Sequence, residues 1–210
     1  TNLFNLSPQM NTSSNTVDIR IRGKYPLVSR NYFLLANCVD MSSVGALIPS
    51  TTYYNSRVYY SLLVQPSSMT QLRYLEIRTD DGEPITGINE FNGFVHIAKE
   101  TTITELSWLA GLNLSNLGGD QALAERAVGF GVFAPRTFRC IGEGYLFGAK
   151  DGLRYWDGGQ KSRLKIEEES RVISLPVKPI IDRCIKAGTW ANSIGYYYPK
   201  KQWYILAVED

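Results

Sequence analysis

The sequence predicts an all-β protein of antiparallel meanders with one or two short helices. Apolar and polar residues alternate with period two in Val17-Asp-Ile-Arg-Ile-Arg22 and Leu72-Arg-Tyr-Leu-Glu-Ile-Arg78, the pattern of strands with one face in a core and one in water. The chain carries 18 Gly, 13 Tyr, 8 Phe and 4 Trp, more glycine than helix ends require, which fits many short strands joined by tight turns. Gly144 to Gly159 reads as a complete hairpin. Tyr145, Leu146, Phe147, Leu153, Tyr155 and Trp156 flank Asp151-Gly152, a pair suited to the positive φ angles of a two-residue primed turn, and Asp157-Gly158-Gly159 closes the unit.

Residues 1–16, with Asn2, Asn5, Asn11 and Asn15, are polar and without period, and read as an arm or linker ahead of a domain over 17–210. The chain lacks an initiating Met and stops at Asp210 where a meander would turn again, so it reads as a segment of a longer polypeptide. Val17–Arg22 is the first strand, and Gly23-Lys-Tyr-Pro26 breaks it. Tyr32–Ala36 and Arg57–Val64 are apolar runs separated by a Ser-, Gly-, Pro- and Thr-rich surface loop. Leu72–Arg78 alternates and ends at Asp80-Asp81-Gly82, where Asp81 and Gly82 define a turn.

Phe94–Ala98 and Thr101–Leu106, parted by Lys99-Glu100, form a further hairpin. Asp120-Gln-Ala-Leu-Ala-Glu-Arg-Ala127 begins with an N-cap residue followed by good helix formers and reads as one or two helical turns. The charged run Lys161–Arg171 is a solvated loop, and Pro179–Lys186 a second short helix with Pro in its first turn. Gly195–Val208 gives two strands around Pro199-Lys200-Lys201.

Composition and motifs restrict function. A net charge of +2 is too small for a dedicated nucleic-acid binder. Cys38, Cys140 and Cys184 are odd in number and widely spaced, and read as reduced, buried small hydrophobes rather than a disulfide framework or a metal knuckle. No apolar run has the ~18 residues of a membrane span, and no membrane, metal or cofactor is expected. Gly142-Glu-Gly144 precedes a strand instead of a helix, so it is no dinucleotide loop, and Walker, G-x-S-x-G and H-E-x-x-H patterns are missing. His96, the one histidine, sits in an apolar run and reads as a satisfied core or polar-face residue. Asp80, Asp81 and Glu168 could serve a hydrolase only if two of them faced one cleft, and turn and surface roles are the simpler reading.

Five pieces in one order resemble a phage-encoded, β-propeller-like family of tail and neck assemblies that includes the packaged-DNA stabilisation proteins of short-tailed phages. They are Ser56-Arg-Val-Tyr-Tyr-Ser61 with Gln65-Pro66, Asp81–Ile88 followed by Phe91–Glu100, Gly129–Arg136, Gly142–Gly159, and Ile173–Ile181 through Tyr196–Val208. The polar first sixteen residues and Leu109–Gly119 fit the pattern less well. The resemblance implies β-propeller-like blades, incomplete or open, and a non-enzymatic virion protein of a hub, ring or head-to-tail connector that helps retain packaged DNA. It also implies a homo-oligomeric ring in contact with other tail, neck or portal proteins, assembled in the bacterial host cytoplasm. No catalytic residue carries over from the family.

Tyr196, Tyr198, Trp203, Lys200 and Lys201 are the candidate interaction residues, since alternation leaves some of these aromatics outward. The alternative function is a glycan- or receptor-binding β module at a tail tip using Tyr196, Tyr198 and Trp203. If the chain touches DNA, Lys161, Arg163, Lys165, Lys200 and Lys201 are the phosphate partners, opposed by Glu167–Glu169.

Overall fold

The computed structural model describes residues 4–6, 21–40, 52–61, 64, 73–107, 123–158 and 170–209. They are mainly strands, paired antiparallel with their sequence neighbours, and they fall into two compact units, Thr1–Ile88 and Asn89–Asp210. Nearest-neighbour pairing of this kind follows from the short turns, because two-residue connections can only join antiparallel strands.

The first unit is a five-stranded meander of β1 (Phe4–Leu6), β2 (Ile21–Ser29), β3 (Tyr32–Asp40), β4 (Thr52–Tyr60) and β5 (Tyr74–Glu76), in that order. β2 and β3 meet at Arg30-Asn31, where φ angles of 44° and 68° make a primed turn. Ile21, Leu35, Cys38 and Tyr59 form its core, with Phe33, Tyr54 and Tyr74 packed against them.

Three expectations for this unit are corrected. Gly23 does not break a strand. It pairs with Cys38 inside β2, where any Cβ would strike the Leu35 side chain that lies over it. Pro26 also stays in the strand, opposite Leu35. β1 pairs with β2 only as far as Gly23, so the missing N–H falls where β2 has no described outer neighbour and costs no ladder bond. Phe4–Leu6, placed in a polar arm, is a strand on the edge of β2. The region between Ala36 and Arg57 is not all loop, since Asn37–Asp40 extend β3 and Thr52–Ser56 begin β4. Val17–Arg20, Leu62, Leu63 and Leu72 lie outside the described residues, and Val64 is in a turn.

The second unit contains two four-stranded meanders and a hairpin. The first sheet is β6 (Gly87–Phe91, which crosses the unit boundary), β7 (Phe94–Ala98), β8 (Thr102–Leu106) and β9 (Leu123–Val128). The second is β10 (Ala134–Cys140), β11 (Tyr145–Ala149), β12 (Gly152–Trp156) and β13 (Ser170–Val172). Asn92-Gly93, with φ of 50° and 79°, turns β6 into β7. Phe91, Ala98, Ile103, Ala127, Phe138, Tyr145, Phe147 and Trp156 from the two sheets, with Val132 from the link between β9 and β10, build one core.

The predicted helix at Asp120–Ala127 is instead β9 over its described part, while Asp120–Ala122 lie outside the described residues. Helix propensity over half a dozen residues is a weak bias, and pairing along β8 with full burial of Ala127 overrides it. The Gly144–Gly159 hairpin forms, but its turn lies one residue earlier than Asp151-Gly152. Ala149 pairs with Gly152, so Lys150-Asp151 make the turn, and Arg154 Nε donates 2.9 Å to Asp151 Oδ1. Gly152 opens β12 with φ of 137°, at a point where a Cβ would sit 2.6 Å from Ser174 Oγ. Gly158, at φ 75°, lies against Phe91, and Asp157 beside it is buried.

α1 (Lys178–Ala187) starts with Pro179 in its first turn and ends at Gly188, whose φ of 76° lets its N–H reach back to the Cys184 and Ile185 carbonyls. Ile181 and Cys184 pack with Leu153 and Trp190, and Tyr204 and Leu206 lie against that cluster. Trp190 Nε1 donates 2.7 Å to the Ala149 carbonyl. The chain then forms the hairpin β14 (Ile194–Tyr198) and β15 (Trp203–Ala207) around a Pro199–Lys201 turn, as the sequence predicts. Gly195 is required there because the Tyr204 side chain crosses it to donate 2.7 Å to the Thr137 carbonyl. Gly195→Ala is expected to destabilise the protein by about 1–3 kcal/mol through this overpacking, and an unchanged urea midpoint would refute the account.

Candidate functional site

The hairpin β14–β15 has two unlike faces. Its register pairs Ile194 with Ala207, Tyr196 with Ile205 and Tyr198 with Trp203, and paired residues share a face. Tyr196 is 59% exposed, Trp203 55%, Ile205 52% and Ile194 44%. Gly195, Tyr204 and Leu206 point the other way, toward β10, α1 and Trp190. Arg139 Nε donates 2.9 Å to the Gly195 carbonyl, which ties β14 to β10.

The outward surface is therefore apolar along both strands, where an antiparallel hairpin facing water ordinarily carries polar side chains. Lys200 and Lys201 stand exposed on the turn at one end, and Lys201 Nζ lies 4.6 Å over the Trp203 ring, a cation–π contact that orients the indole. Of the predicted interaction residues, Tyr196, Trp203, Lys200 and Lys201 are exposed and Tyr198 is half-buried. Ile194 and Ile205 were not singled out in the sequence, although period-two alternation from Tyr196 and Trp203 reaches both.

A second cluster lies in the core of the same unit. His96 on β7 is 1% exposed, and its Nδ1 shares a 2.8 Å hydrogen bond with the Tyr145 hydroxyl on β11. Its Nε2 faces Glu105 Oε2 on β8 at 3.5 Å, and Arg126 Nη2 on β9 donates 2.7 Å to Glu105 Oε1. A carboxylate beside Nε2 favours the proton on that nitrogen, which leaves Nδ1 to accept from the Tyr145 O–H. Arg126 reaches Glu105 because of a bulge: Ile103 and Thr104 face Ala127 and Glu125, so Arg126 is the extra residue and its side chain is re-aimed.

Carboxylate, imidazole and hydroxyl stand here in the order of a nucleophilic triad, but the hydroxyl is sealed. Tyr145 has no exposed surface, and burial pushes its pKa well above that of free tyrosine. Burial alone would also raise the Glu105 carboxyl, yet His96 and Arg126 outweigh it and hold that group below its usual range. The chemistry of the cluster is therefore cohesion between β7, β8, β9 and β11, and His96 is a core residue, as one of the two sequence readings has it, bonded through Nδ1 while its Nε2 faces Glu105 without a hydrogen bond.

The remaining candidates scatter. Asp81 Oδ1 accepts from the Glu83 N–H at 2.9 Å and shapes the turn that ends at Gly82, where φ is 69°. Asp80 is exposed in the same turn. Glu168, the Glu167–Glu169 run, Lys161, Arg163 and Lys165 lie outside the described residues. Cys38, Cys140 and Cys184 are free thiols, with Cys38 and Cys184 buried and Cys140 half-buried, and burial pushes the Cys38 thiol up to about 12. Among the described residues, no group of three His, Cys, Asp or Glu side chains could hold a metal ion, and no helix is long and apolar enough to cross a membrane. Comparison with models of known protein families finds no match, and comparison with curated proteins finds none either.

Proposed function

We propose that the chain is a non-enzymatic structural protein of a bacteriophage virion, a hub or head-to-tail connector component of the tail or neck. Its consecutive meanders serve as β-propeller-like blades, and the outer face of β14–β15 packs against another virion chain. The observation that carries this reading is that apolar face, with Tyr196, Trp203 and Ile205 each more than half exposed. An isolated apolar residue on a surface needs no explanation, whereas a contiguous set along two strands marks a place that another protein covers.

The partner surface it fits is an apolar strand face with an acidic rim, complementary to Lys200 and Lys201 at the end of the hairpin. The ordered resemblance in Ser56–Ser61, Asp81–Glu100, Gly129–Arg136 and Gly142–Gly159 supports a tail or neck setting, and the sheet order supports blades. Ring formation and contact with packaged DNA belong to the same reading.

The test is incorporation into particles. Burial of one large aromatic contributes roughly 1.5–3 kcal/mol, so Trp203→Asp should lower incorporation by more than about tenfold while leaving the thermal melt of the free protein unchanged. Electron cryo-microscopy of wild-type particles should place the hairpin against a neighbouring tail, neck or portal chain. Wild-type levels of the Trp203→Asp protein in particles, or absence of the wild-type protein from them, would sink the proposal.

A further inference from the structure

We propose that the cavity bounded by the Ile141–Glu143 loop, β12 and the β14–β15 hairpin binds a neutral saccharide of one or two rings. It has a volume of about 540 Å³ and is lined by Ile141, Gly142, Glu143, Tyr155, Tyr197 and Gln202. That size falls within the roughly 300–1,000 Å³ of small-molecule sites. The site does not rest on the assembly role, and it is separate from the exposed aromatic face: Tyr197 follows Tyr196 in β14 and so points to the opposite side of the strand.

The lining has the mixed character that a sugar ring demands. A pyranose presents an apolar C–H face and a rim of hydroxyls, each both donor and acceptor. Two tyrosine rings offer flat apolar surface with a polar tip, the Glu143 carboxylate accepts, and the Gln202 amide both donates and accepts. Among the described lining residues, Glu143 carries the one formal charge. It repels phosphorylated, sulfated and uronic sugars, which selects neutral ones.

The walls are held before any ligand arrives. The Tyr155 hydroxyl donates 2.9 Å to the Glu143 carbonyl, and the Ile141 N–H donates 2.9 Å to the Gly144 carbonyl across Gly142, whose φ is 95°. Gln202 occupies a left-handed position, φ 55°, with its N–H 3.2 Å from the Pro199 carbonyl. That backbone conformation closes the Pro199–Lys201 turn and fixes where the Gln202 side chain leaves the chain at the border of the cavity. Walls fixed in this way reduce the ordering cost of binding.

Saturation-transfer NMR on the purified protein tests the proposal, with glucose, galactose, N-acetylglucosamine, cellobiose and chitobiose as probes and glucuronate and tetramethylammonium as comparisons. At least one neutral sugar should show transfer, and glucuronate should show none. Glu143 is exposed, so Glu143→Gln retains the fold and should weaken that sugar's binding by about tenfold, the usual effect of losing a charged acceptor. Tyr197→Phe tests the second wall with little change in shape and should also weaken it, whereas Trp203→Ala should leave it unchanged. Transfer from none of the sugars, equal transfer with both cavity variants, or transfer confined to tetramethylammonium or glucuronate would overturn the proposal. The last outcome would mark the site as one for an ammonium group or an anion.

Discussion

Trp156→Ala should lower the unfolding free energy of the second unit by about 3–5 kcal/mol, the usual cost of emptying a fully buried tryptophan site. Trp156 has no exposed surface and stacks on Tyr145 at 5.7 Å with 17° between the rings, while His96 meets it edge-on at 5.1 Å. Phe138 stacks on the other ring of this set, 4.8 Å from Tyr145. These side chains come from both four-stranded sheets, so a cavity there loosens the packing between them. The Trp156 Nε1 has no hydrogen-bond partner among the described residues, a buried donor that weakens the native state. Trp156→Phe removes that donor and keeps a ring on Tyr145, so its cost should be the smaller, about 1–2 kcal/mol. Urea melts of the two variants decide the matter, and equal losses would show that the stack and the orphaned N–H have been misread.

The hairpins were legible because their signals are local. Pro199–Lys201 lies between runs of extended formers, and the turn occurs there. The turn after β7 falls one residue later than Lys99-Glu100, because the Lys99 N–H donates to the Thr102 carbonyl and Glu100-Thr101 lie between them. The Lys150-Asp151 turn was placed one residue late because Asp-Gly suits both the centre of a primed turn and its exit into the next strand, and only the pairing of Ala149 with Gly152 separates the two. Leu123–Val128 was misread for the opposite reason. Nothing in Leu-Ala-Glu-Arg-Ala-Val itself favours a strand, and its conformation is set by an open edge of β8 that the local sequence does not announce.

The outer face of the last hairpin was half legible. Alternation shows that Tyr196 and Trp203 share a face, but which face is buried depends on Gly195 lying under Tyr204 and on α1 closing over Leu206, both matters of packing. The core cluster was missed because its key pair depends on the turn lying at Glu100-Thr101, whereas a turn at Lys99-Glu100 would set His96 opposite Ile103. A hairpin that pairs Ala98 with Ile103 sets His96 opposite Glu105. Arg126 could not be found in that way, since it reaches the site through a bulge.

Removing the Glu105 carboxylate should be nearly as damaging as emptying the Trp156 site, and the effect should depend on pH. Glu105 is buried between His96 and Arg126, with Arg126 Nη2 at 2.7 Å. Breaking a fully buried pair costs about 3–5 kcal/mol. The Arg126 side chain keeps 28% of its surface in water and can recover part of its hydration, so Glu105→Ala should cost about 3 kcal/mol, the lower end of that range. In the native protein the carboxyl titrates below its ordinary value of 4.5, since His96 and Arg126 together outweigh the desolvation that would raise it. A depressed native pKa means that the unfolded chain binds the proton more tightly. The stabilisation is therefore complete above the unfolded value near 4.5 and is lost as pH falls through the lower native value. Glu105→Gln keeps the shape and removes the charge, so it should lower stability at pH 7 and flatten this part of the acid limb. Urea melts at neutral pH and at a series below 4.5 measure both effects, and parallel acid limbs for the two proteins would show that Glu105 does not carry the dependence.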